Sequence, residues 1–62
     1  MRKISLLCRK LKRITGRSYC VQAVSRGRYS VYLFDDVSRD WNFVASSFSV
    51  NGVVSYLNSQ FL

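Results

Sequence analysis

Seven cations and no acid stand in the first 17 residues: Arg2, Lys3, Arg9, Lys10, Lys12, Arg13 and Arg17. Over residues 18–62, three cations (Arg26, Arg28, Arg39) cancel three acids (Asp35, Asp36, Asp40). The formal charge of +7 is therefore a local field near one end of the chain. A field of that kind calls for an anionic partner but names no reaction. Other chemistry is sparse. There is no histidine, so the side chain best suited to proton transfer near neutral pH is missing. The three aspartates share one loop, where such residues bond their own backbone and make turns. Their use in a metal-dependent nuclease is the weaker reading. Serines are common, but a hydroxyl without a base is not a nucleophile. Cys8 and Cys20 permit at most one internal bridge and lack the spacing of a zinc site, so a free, buried thiol is expected of each. No phosphate loop or nucleophile elbow is present. The expectation is a protein that is not an enzyme and takes no cofactor or metal.

The elements that position these residues are few. Sixty-two residues make one domain at most, and a chain so short is marginally stable without a disulfide, a metal or a second copy of itself. It is 48% hydrophobic and 15% aromatic, with no proline, unlike a disordered basic tail. No apolar run approaches the ~18 residues of a membrane span. Arg9 and Lys10 interrupt what could be a signal-peptide core after Leu6, Leu7 and Cys8. The chain reads as mature and soluble, in the cytoplasm.

Ile4, Leu7, Cys8, Leu11 and Ile14 recur at helical spacing and form one apolar stripe. Most of the cations fall on the far side of that helix. Gly16 is a suitable stop. Residues 18–24, 29–34 and 41–47 are short and rich in Val, Tyr, Phe and Trp, and they read as strands. Ser25-Arg26-Gly27-Arg28 joins the first two as a tight hairpin, and the polar 35–40 loop joins the second to the third. Val50, Val53, Val54, Leu57 and Phe61 return to helical spacing behind Ser49, a suitable N-cap. Gly52 weakens that helix by about 1 kcal/mol relative to alanine. The predicted fold is α+β: a three-stranded antiparallel sheet flanked by an N-terminal and a C-terminal helix, α-β-β-β-α.

A simple hairpin places Val24 opposite Tyr29. One face then carries Cys20, Gln22, Val24, Tyr29, Val31 and Leu33, and the other Tyr19, Val21, Ala23, Ser30, Tyr32 and Phe34. Neither face is polar, unlike a sheet with one solvated side. The third strand sorts as Trp41, Phe43, Ala45 against Asn42, Val44, Ser46, with the assignment to faces open. Three layers are many for a chain of this length. Both helices are therefore expected on one face. The other face, with Tyr19, Tyr32 and Phe34, is left for a partner or a second copy.

The basic helix is the main positive signal, because lysine and arginine along one face neutralise phosphates and release counterions. Solubility alone, a membrane surface or an acidic protein are the competing uses. Arg26 and Arg28 flank Gly27 at a hairpin tip of a kind that fits a DNA groove. Tyr19, Tyr32 and Trp41 are candidates to stack on unpaired bases, although a core role is the more ordinary one for each.

Tyr19, Gly27, Tyr29, Phe48, Ser49, Tyr56 and Leu57 give residues 18–57 a loose resemblance to the arm-type DNA-binding domains of phage and transposon integrases. That resemblance implies a sheet inserted in the major groove and a source in a phage or mobile element. The helix is one residue short of the family's spacing, and Val53 and Ser55 stand at its usual charged positions. The α-β-β-β-α order is also similar to the double-stranded-RNA-binding domain, but residues 49–53 lack that family's lysine cluster. In size and lack of active-site chemistry the chain resembles small phage inhibitors of host enzymes.

The expectation is a non-catalytic, homodimeric DNA- or RNA-binding protein. Its contacts are Arg2, Lys3, Arg9, Lys10, Lys12, Arg13 and Arg17, with Arg26 and Arg28 at the hairpin. The alternative is a protein-binding module, an inhibitor or capsid-associated factor, docking on an acidic surface through the same helix.

Overall fold

The computed structural model describes residues 2–61, and side chains from Lys3 to Phe61. Helix α1 (Arg2–Thr15) leads into strands β1 (Tyr19–Ser25), β2 (Arg28–Asp35) and β3 (Asp40–Ser47), and helix α2 (Val50–Ser59) follows. The strands form one antiparallel meander in the order β1-β2-β3. This is the α-β-β-β-α fold expected from the sequence.

Local chemistry ends the elements where expected. Gly16 takes φ 77°, which glycine accepts at a helix end, and its N–H donates to Lys12 O at 3.0 Å. The Thr15 hydroxyl donates to Leu11 O at 2.7 Å and accepts from the Arg17 N–H at 3.1 Å, which closes the last turn. At the start of α2, Ser49 is extended (φ −145°, ψ 155°) and its hydroxyl accepts from the Gly52 N–H at 3.0 Å, satisfying one orphan donor of the first turn.

Both helices lie on the same face of the sheet. Ile4 and Leu11 of α1 meet Tyr19 of β1, Val31 of β2, and Val53 and Leu57 of α2 in one buried cluster. Leu11, Val31, Val53 and Leu57 are almost wholly enclosed, each contributing about 1.5–3 kcal/mol by removal from water. Tyr19 also ties β1 to the end of α2, its hydroxyl donating to Gln60 Oε1 at 3.2 Å. Ile14, expected in the stripe, is 56% exposed. It sits at the edge of the stripe in the last turn, where the chain is already leaving the core.

The faces differ from the simple-hairpin expectation because each strand pair contains a bulge. Ala23, not Val24, stands opposite Tyr29, and Ser25 pairs with Arg28, so Val24 is an extra residue on β1. A one-residue slip exchanges the faces of everything beyond it. The covered face is therefore Tyr19, Val21, Ala23, Tyr29, Val31 and Leu33. Tyr19, expected on the open face, is buried in the core. A second bulge makes Val44 the extra residue on β3, because Val31 faces Ala45 while Tyr32 faces Phe43. It sends Ala45 to the helices, and Trp41 and Phe43 to the opposite face.

Candidate nucleic-acid interface

The described cations of the first segment are all exposed: Lys3, Arg9, Lys10, Lys12 and Arg13 on α1, and Arg17 just after it. The side chain of Arg2 lies outside the described residues. Burial of Ile4 and Leu11 sets the rotation of the helix. Arg13, nine residues on from Ile4, lies half a revolution round and points away from the sheet. Arg9 and Lys12 lie on the flank toward β1, where they line the groove between α1 and that strand with Cys8 and Tyr19. Lys10 leans the other way, its ammonium 5.4 Å from the centre of the Phe61 ring, within reach of a cation–π attraction. Lys12 and Arg13 occupy the last turn of α1, where positive charge suits the helix dipole.

Arg26 and Gly27 form the hairpin tip, with Gly27 at φ 70°. Arg28 follows, 5.9 Å from the centre of the exposed Phe48 ring. These two arginines are a second cationic point at the end of the sheet, apart from the continuous surface of α1, which runs beside β1 and α2.

The acids are drawn into their own turn. The Asp35 carboxylate accepts from the Val37 N–H and the Ser38 hydroxyl, both at 3.0 Å, and these bonds lower its pKa. Asp40 accepts from the Trp41 N–H at 2.8 Å. Arg39, in the same turn, has φ 57°. Among the described residues no cluster of three potential metal ligands occurs, and no helix is long and apolar enough to cross a membrane. Cys8 and Cys20 are unbridged and half-buried. Burial pushes the Cys8 thiol pKa up, and the nearby Cys20 adds to the effect.

Sequence reasoning missed the composition of the open sheet face. Tyr32 and Phe43 meet edge to face at 6.0 Å, and Phe34 and Trp41 do so at 5.2 Å. Trp41 and Phe43 remain 44% and 59% exposed. Cys20, Gln22, Tyr32 and Trp41 line a shallow hollow on this side. Nothing in the sequence marks either bulge, so the gathering of four rings on one face was not legible. Tyr19 and Leu57, which carry part of the likeness to arm-type domains, are core residues. The comparisons with known proteins find no family model, no curated protein and no solved structure that matches the chain.

Proposed function

We propose that this chain is a non-catalytic nucleic-acid-binding protein that holds phosphate against the outer surface of α1 and works as a pair of chains. One observation carries the reading. The burial of Ile4 and Leu11 fixes the helix so that Lys3, Arg9, Lys10, Lys12 and Arg13 all face solvent on one rigid element with no acid on it. Exposed cations fixed this way displace the counterions condensed on a phosphate backbone, so affinity falls steeply with salt.

The test is a salt series of gel shifts with generic duplex and single-stranded DNA and RNA. If five described cations of α1 reach phosphates of B-DNA, the slope of log K against log salt is about −4.5. Arg9→Gln/Lys12→Gln/Arg13→Gln should reduce that slope by up to about 2.7 and weaken all sequences alike. These three are preferable to Lys10, whose replacement also removes its contact with Phe61. No binding at low salt, with binding to an acidic protein instead, would establish the protein-docking reading. An unchanged slope in the triple variant would place the contact elsewhere.

A further inference from the structure

We infer that the open face of the sheet is the interface between two copies of this chain, stacked with their strands antiparallel. The occupant follows from three features. First, the middle of the face holds Cys20, Gln22, Ser30, Tyr32, Phe34, Trp41 and Phe43 and no charged residue. All the described cations of α1 lie on the other layer. Two chains of +7 can therefore meet here with their basic helices outermost.

Second, the two ends of the sheet carry opposite charge. Arg26 and Arg28 stand at the β1–β2 tip, and Asp35, Asp36 and Asp40 against one Arg39 stand at the β2–β3 turn. β2 runs from Arg28 to Asp35, which sets the two ends about 24 Å apart at the rise of a strand. In an antiparallel two-fold pair, the cationic end of each copy lies over the acidic end of the other, twice per dimer. A two-fold contact is self-complementary in this way. A partner of uniform charge would match only one end.

Third, the face leaves large apolar side chains uncovered. Trp41 and Phe43 on it are 44% and 59% exposed, and apolar surface gathered in this way marks an association site. Sheets stacked in this manner lie about 10 Å apart with strands within about 30° of alignment. The pairing rests on the sheet alone and stands whether or not the anion on α1 is a nucleic acid.

Sedimentation equilibrium of the full chain in moderate salt is the test. The expected mass is twice 7.2 kDa. Phe43→Glu, which puts a carboxylate among the four rings of the face, should return the mass to one chain while circular dichroism keeps the helix and sheet signal. A charge exchange separates loss of pairing from loss of folding. Arg26→Asp/Arg28→Asp and Asp36→Arg/Asp40→Arg should each be monomeric alone. Mixed, they should form a one-to-one pair, because each repulsive end then meets its complement. A wild-type monomer at all concentrations, a dimeric Phe43→Glu, or exchange variants that fail to pair on mixing would overturn the assignment. A dimer that binds no nucleic acid would leave this interface standing and remove the function proposed above. A monomer that binds DNA would remove this interface and the pairing proposed above, and leave the phosphate contact on α1 standing.

Discussion

Gly52→Ala is a sharp test of how α2 is seated on the sheet. Helix propensity alone says that alanine stabilises this position by up to about 1 kcal/mol. The structure says the opposite. A Cβ at Gly52 would collide with Ser47 Oγ, and would lie 3.0 Å from Ser47 Cβ and 3.3 Å from Ser49 Oγ. Ser47 is not free to turn aside. Its hydroxyl donates to Ser49 O at 3.1 Å and accepts from the Ser49 N–H at 3.2 Å. Rotating it costs two hydrogen bonds of about 0.5–1.5 kcal/mol each. Crowding Ser49 Oγ also disturbs a cap worth about 1 kcal/mol. The losses come to about 2–4 kcal/mol against a gain of about 1, so Gly52→Ala should destabilise by about 1–3 kcal/mol. Urea unfolding followed by circular dichroism at fixed protein concentration measures it. In a Ser47→Ala background the collision with Oγ is gone while the contacts with the residue-47 Cβ and Ser49 Oγ remain, so the same change should cost less, giving a coupling energy of about 1 kcal/mol or more. If Gly52→Ala stabilises equally in both backgrounds, the proposed seating of α2 against the Ser47 shelf is wrong.

Three further outcomes are expected. Arg39→Gly should raise stability by roughly 0.5 kcal/mol in the same assay, since a left-handed arginine costs about 1–2 kcal/mol and glycine's greater freedom when unfolded returns part of that. Hydrogen bonds from Val37 and Ser38 lower the Asp35 pKa on folding, so their contribution is full above the unfolded carboxylate's pKa and is lost as pH falls through the lowered value. The Val37 amide resonance should follow that transition, and Asp35→Asn should abolish it. The raised Cys8 pKa means that its contribution is full below the pKa of an unfolded thiol and is lost as pH rises through the folded value. Alkylation of Cys8 in the folded chain should therefore need more alkaline solution than alkylation in urea, read by mass spectrometry on a Cys20→Ser variant.

Much of the architecture was legible because local signals agreed with one another. The stripe from Ile4 to Leu11, the stop at Gly16, the tip at Gly27 and the cap at Ser49 each act through the nearest few residues. Packing both helices on one face also followed, from the shortness of the chain, for which three layers are many. The faces themselves were not legible. Val24 and Val44 look like ordinary strand residues, and their status as bulges depends on pairing with another strand. That single fact moved Tyr19 into the core and brought Trp41 and Phe43 out beside Phe34 and Tyr32. The outward direction of the cations was legible from periodicity. Lys10 leaning on Phe61 and Arg28 on Phe48 were not, because those rings come from distant parts of the chain.

The bulge at Val44 has a second consequence, for the behaviour of the chain among its own kind. β3 is an edge strand, and residues 41–47 contain no charge, no proline and no glycine. An edge of that composition is a template for endless strand addition and fibril growth. The extra residue divides the regular pairing into 40–43 and 45–47, so an incoming strand finds no uninterrupted row of N–H and C=O groups. One misaligned valine thus serves as gatekeeper against aggregation in a segment with no lysine or proline to do that work.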